Sequence, residues 1–156
     1  VIADIQEFTA SVDPLWQWLA VMGAGAIPFV ESYGAGPIGI VVGVTPIVAI
    51  LAAIAGNIAS MTIVVLATSG ARDKLTNAEK PLSPRRQSFT RAFDKWGVPG
   101  VSLLGQWILP SQITSSIMVG IGASKQKVIV WQIISIILWG VAFGALAWAA
   151  VAAIRG

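Results

Sequence analysis

Hydrophobic and polar positions in this chain fall in long blocks rather than in short alternation. Ser32 to Ala71, Trp96 to Ser124 and Val128 to Ile154 contain no Asp, Glu, Lys or Arg, and runs above roughly 18 such residues mark candidate membrane spans. Inside these blocks two patterns recur. Pro46 opens a clean run in which Ile47 to Thr68 has the length of one span and only Asn57 interrupts it; Val128 to Ile154 is a second long helix. Gly25 to Val42 is instead broken by Pro28, Gly34, Gly36, Pro37 and Gly39. Trp96 to Ser124 is broken in the same way by Gly97, Pro99, Gly100, Gly105, Pro110, Gly120 and Gly122. Glycine and proline weaken a helix interior. As one helix, Ser32 to Ala71 would run about 60 Å, roughly twice the hydrocarbon thickness. The expected order is therefore broken segment, full helix, connection, broken segment, full helix.

At the start of the chain Ile2, Ile5, Phe8 and Val12 recur at helical spacing with Asp4, Gln6 and Glu7 between them. That spacing predicts an amphipathic helix lying at an interface. Asp13-Pro14 reads as the start of a second helix, with Asp as N-cap and Pro in the first helical position. This helix carries Trp16 and Trp18 and ends against Gly23-Ala24-Gly25. The tryptophans at 131, 139 and 148 recur at eight- and nine-residue spacing and read as one aromatic face of the last helix.

Composition sharpens this reading. The chain is 56% hydrophobic and 11% charged, where a soluble domain carries about 25% charged residues. The fold class expected is an all-α integral membrane protein, a single membrane domain over 1–156. It divides into N-terminal interfacial helices (1–22), a first repeat (23–69), a basic loop (70–95) and a second repeat (96–156). The net charge of +3 is concentrated in that loop, where Arg72, Lys74, Lys80, Arg85, Arg86, Arg91 and Lys95 stand with Asp73, Glu79 and Asp94. The positive-inside rule makes the loop cytoplasmic. It reads as a solvated loop beside lipid headgroups rather than a nucleic-acid patch, with Gln87 to Lys95 as a short surface helix. Without Cys or His the chain has neither thiolate ligands nor the commonest general base. No catalytic constellation, metal or cofactor is expected, and the chain does not read as an enzyme.

A pair of Gly/Pro-interrupted segments in matching positions points to a transporter built from inverted repeats, with two ordinary kinked spans as the alternative. Irregular backbone at membrane depth persists only where protein or water satisfies its polar groups. A re-entrant second segment also keeps Lys125 and Lys127 on the cytoplasmic side with the basic loop, and leaves Asp4, Glu7 and Asp13 outside, as the charge bias favours. The candidate substrate- or proton-binding residues follow from this placement. Glu31 is a lone acid among apolar residues, glycines and prolines. A carboxyl that is neutral when dry and charged when water or a cation reaches it is a proton carrier. Tyr33 stands two residues away. Asn57 interrupts the first full helix. Gln106, Pro110, Ser111, Gln112 and Thr114 form a polar run at the centre of the second broken segment, able to line a cavity or to bond neighbouring helices.

Ile27-Pro28-Phe29-Val30-Glu31, then Gly36-Pro37, Gly43 and Gly56-Asn57, resembles the bacterial small multidrug export protein family. Trp96-Gly97, the segment around Pro110 and Gly122-Ala123-Ser124-Lys125 resembles the second half of that family, so the likeness covers most of residues 23 to 145. The run from Gly105 to Gln112, continuing to Gly122-Ala123-Ser124-Lys125, is also distantly similar to the DedA membrane proteins. Those have paired re-entrant segments and are implicated in flipping anionic lipids. Where the DedA pattern has arginines flanking a proline, this chain has Gln106 and Gln112. The cations suited to phosphate are missing, and the lipid-phosphate function is not carried over with the likeness. The resemblance implies a multi-pass protein of the bacterial inner (plasma) membrane that exports amphipathic or cationic compounds. Its partners would be membrane lipids, a small-molecule or lipid substrate and a second copy in a homodimer, with no nucleic acid. A lipid-carrier flippase and a scaffold that transports nothing are the alternatives.

Overall fold

The computed structural model describes the backbone of residues 1–74 and 96–156. The described residues are helices joined by turns: α1 (Ile2–Ser11), α2 (Gln17–Gly25), α3 (Glu31–Val42), α4 (Pro46–Lys74), α5 (96–105), α6 (Ser111–Gly120) and α7 (Lys125–Arg155). They cluster into two compact units, one of Val1–Ser60 with Ile136–Gly156, the other of Met61–Ser135. The expected surface helix at Gln87 to Lys95, and most of the basic loop, lie outside the described residues.

In the first unit α1 packs on α2 and α3, and Thr9, buried, returns its hydroxyl to the Ile5 carbonyl at 2.7 Å. Asp13 does not cap α2 as expected. Its side chain accepts from the Leu15 amide at 2.9 Å and its carbonyl from Trp16 at 2.8 Å. Asp13 and Pro14 thus shape a separate turn, and the helix begins only at Gln17.

The break read around Pro28 is a turn between two short helices. α2 ends at Gly25, and α3 folds back so that Gly39 lies against Val21 and Ala49. Pro37 sits inside α3 without ending it. The helix stops instead at Gly43, whose φ of 111° suits glycine, with the amides of Gly43 and Val44 both returning to the Gly39 carbonyl. Pro46 then opens α4, as expected from its place in the first turn.

Small residues set the spacing in this unit. A Cβ on Gly25 would strike the backbone carbonyl of Ala53, and one on Gly56 the carbonyl of Met22, so α2 and α4 cross backbone against backbone. Gly140 and Gly144 of α7 face Ile54 with Ser32, and Ile50, respectively. Glycine pairs of this kind let membrane helices approach closely. The core between them is Val21, Ala24, Val30, Ala35, Ile38, Ile40, Ala49, Ala52 and Ala53.

The second unit also holds two short helices joined by a turn. α5 and α6 are joined by residues 106–110, and Gly105 comes against Thr114 across the turn. Thr68, near the end of α4, bonds Ser116 of α6 at 3.3 Å. α6 closes at Gly122, φ 112°, whose neighbour Ala123 donates to the Met118 carbonyl at 2.9 Å. α7 follows from Lys125 to Arg155, 31 residues long.

The expected aromatic face of α7 does not form. At 100° per residue Trp139 and Trp148 lie half a helical turn apart, and Trp139 is half-buried where Trp148 is exposed.

Candidate functional site

Glu31 is the first residue of α3 and is fully buried. The turn that holds it is tight: the amides of Val30 and Glu31 both donate to the Ile27 carbonyl, at 3.2 and 3.0 Å. Two side-chain-bearing residues of this turn adopt left-handed backbone angles, Phe29 at φ 69° and Glu31 at φ 51°. That conformation costs an L-residue about 1–2 kcal/mol. Glycine would relieve it, so a carboxylate in this position is held there against local backbone preference.

Ser32 follows, also buried, and donates to the Ile136 carbonyl of α7 at 3.0 Å. Tyr33 turns its hydroxyl back to the Phe29 carbonyl at 3.4 Å. Its ring meets Phe143 at 5.9 Å, and Phe143 in turn meets Trp139 at 6.2 Å, both tilted. Asn57 is fully buried in α4, its carbonyl accepting from Ser60 at 3.1 Å. Glu31, Tyr33 and Asn57 therefore belong to the first unit, with a cluster of three aromatic rings beginning two residues from the carboxylate.

Gln106, Pro110, Ser111, Gln112 and Thr114 belong to the second unit. Pro110 precedes α6 and its carbonyl receives the Thr114 amide at 2.9 Å, so its role is in the backbone. Several hydroxyls of the polar run are used locally. Thr114 donates to the Leu109 carbonyl at 3.3 Å, Ser115 to the Ser111 carbonyl at 2.6 Å and Ser116 to the Gln112 carbonyl at 2.8 Å. Such back-bonding lets polar residues sit in an apolar surrounding without an external partner. Ser111 donates to the Gln112 side-chain oxygen at 3.5 Å. Gln106 differs: it is 8% exposed and neither atom of its amide has a protein hydrogen-bond partner among the described residues.

Three polar residues that pattern reading passed over join it. Ser102, Gln132 and Ser135 are all fully buried, and Ser135 donates to the Ser102 carbonyl at 2.7 Å. Gln132 and Ser135 stand inside the long apolar run Val128 to Ile154, where isolated polar residues blend into the hydropathy. The spacing 132, 135 on α7, and 102 on α5 with 106 just past its end, is about one helical turn, which is the signal that was available.

Among the described residues no three His, Cys, Asp or Glu side chains come together as metal ligands. What the first unit offers is a buried carboxylate followed two residues later by Tyr33 of an aromatic cluster, and what the second offers is a set of neutral amides and hydroxyls. No family model, curated protein or solved structure matches the chain, so the likeness to small multidrug export proteins rests on the short motifs quoted above.

Proposed function

We propose that this chain is a membrane-embedded secondary transporter that exchanges a proton for a cationic or amphipathic compound at Glu31. The observation that carries the reading is the placement of that residue: a fully buried carboxylate, in a left-handed backbone conformation, at the turn of a short helical hairpin.

Membrane residence is supported by an inverted surface. α4 over Pro46–Ala71 and α7 over Lys125–Arg155 are long and apolar enough to cross a bilayer, yet only 39% and 33% of their most apolar windows are buried. The core helix of a soluble protein would hide most of that surface. Leu51, Ile63, Leu138 and Leu146 are exposed while Asn57, Gln112 and Gln132 are buried, a distribution suited to lipid outside and hydrogen bonds inside.

The hairpins support a re-entrant arrangement by length. α2 and α3 have 9 and 12 residues, so they reach about 14 and 18 Å, well short of the roughly 30 Å hydrocarbon core. α6, with 10 residues, reaches about 15 Å. Glu31 is the single charged side chain in α2, α3, α5, α6 and their turns. A buried anionic group favours a cation as its partner. It does not favour a lipid phosphate.

In sealed vesicles carrying the purified protein, a proton gradient is expected to drive accumulation of a cationic fluorescent dye. Glu31→Gln is expected to reduce the rate at least tenfold. Undiminished proton-coupled accumulation in the variant refutes the role of Glu31. A wild-type protein that moves no dye, with or without the gradient, supports the scaffold reading instead.

A further inference from the structure

The second unit contains a polar seam that neither the hairpin nor the proton reading uses. Ser135 of α7 is bonded to the Ser102 carbonyl of α5 at 2.7 Å, which fixes these two helices against each other. One turn before Ser135 stands Gln132, and one turn after Ser102 stands Gln106. Gln132 and Ser102 are fully buried and Gln106 is 8% exposed. Five polar atoms on these three residues lack any protein hydrogen-bond partner among the described residues: the Ser102 hydroxyl oxygen, and the oxygen and nitrogen of both glutamine amides.

Neighbouring hydroxyls show that the local fold can satisfy polar atoms. Ser115, Ser116 and Thr114 all find carbonyls within their own hairpin, whereas Gln106, Gln132 and Ser102 find none. A buried amide left without a partner is among the more costly single features a fold can carry. A closed seam of this composition is therefore raised in free energy relative to a state in which its groups are solvated, and whatever solvates them shifts the population toward that state.

We propose that the α5–α7 seam is a gated water site, which opens to let water bond Ser102, Gln106 and Gln132 and closes to the packed form described above. The chemistry selects an uncharged molecule. Each amide presents a donor and an acceptor, the serine presents both in one atom, and among the described residues no charged side chain is buried with them in this unit. Water meets that requirement in the smallest volume. The inference is independent of Glu31, which lies in the other unit.

The chain has no native cysteine, so a thiol at position 102 reports on the seam directly. Reaction of Ser102→Cys with a small water-soluble methanethiosulfonate is to be followed in the folded, vesicle-reconstituted protein. Val119→Cys serves as the comparison, since Val119 is 2% exposed in the same unit. The thiol at 102 is expected to react at least tenfold faster than that at 119. Adding Gln106→Leu and Gln132→Leu together is expected to slow the reaction to the rate at 119 and to raise the melting temperature, because both substitutions favour the closed form. Equal rates at 102 and 119 overturn the proposal. So does a double-leucine variant that is folded but reacts as fast as its parent. If that variant fails to fold, the same comparison is made with Gln132→Met alone, and an unslowed reaction again counts against the site.

Discussion

The hydroxyl of Ser32 donates to the main-chain carbonyl of Ile136, 104 positions further along the chain, at 3.0 Å. The bond forms because Gly140, one turn on from Ile136, has no side chain: a Cβ there would lie 3.0 Å from the Ser32 hydroxyl oxygen and 2.8 Å from Ile54. A helix carbonyl is thus reached from outside through a glycine gap. Ser32→Ala is expected to cost about 1 kcal/mol, the usual net worth of one such bond. Gly140→Ala is expected to cost about 1–3 kcal/mol through overpacking, and the double variant is expected to lose less than the sum of the two because both remove the same contact. A double-mutant cycle in detergent, read by thermal unfolding, measures this.

The crossing of α2 and α4 gives a sharper contrast among glycines. Gly25→Ala and Gly56→Ala place a methyl group on a backbone carbonyl, which cannot turn away as a side chain can. Both are expected to lower stability by more than about 3 kcal/mol, beyond the usual range for overpacking, and to reduce the yield of folded protein. Gly23, two residues from Gly25 on the same helix, faces open space: a Cβ there would meet nothing within 4 Å. Gly23→Ala is expected to stabilise by about 0.5–1 kcal/mol through helix propensity alone. Size-exclusion yield and melting temperature separate the three variants.

Phe29 and Glu31 share left-handed backbone angles but differ in surroundings, since Phe29 is 67% exposed and Glu31 is buried. Phe29→Gly is expected to raise stability by about 1 kcal/mol by relieving strain while leaving dye accumulation unchanged. Glu31→Gln keeps the backbone and the volume, so it is expected to stay folded while transport is lost. A Phe29→Gly variant that loses transport would place the working group elsewhere in this turn.

The short hairpins make a topological expectation. With the re-entrant arrangement, cysteines at 96 and 126 label from one side of the membrane and a cysteine at 44 labels from the other. The cysteine-free background makes each reading unambiguous. Labelling of 96 and 126 from opposite sides would mean that α5 and α6 together cross the bilayer.

The parts of this fold that the sequence disclosed are those where backbone chemistry is decisive. Pro28 and Pro110 fall in the turns of both hairpins, Pro46 begins α4, and Gly43 and Gly122 end α3 and α6 with positive φ. Glu31 was visible because a charge in an apolar run has few innocent explanations. What stayed hidden depends on which face of a helix meets which neighbour. In α4 and α7 nearly every position is apolar, so no periodicity marks the inward side. Gly140, Gly144, Gln132 and Ser135 could not be assigned to the interior without knowing the neighbours. Asp13 misled for a local reason: its side chain satisfied a turn amide, as in an Asx turn, and competed with the helix start it was expected to make.

The division into units runs across both long helices. Residues 1–60 join 136–156 in one unit, and residues 61–135 form the other, so α4 and α7 each change allegiance part way along. A chain severed within the basic connection would yield two fragments, neither containing a whole unit: the first would lack the closing stretch of α7, the second the far end of α4.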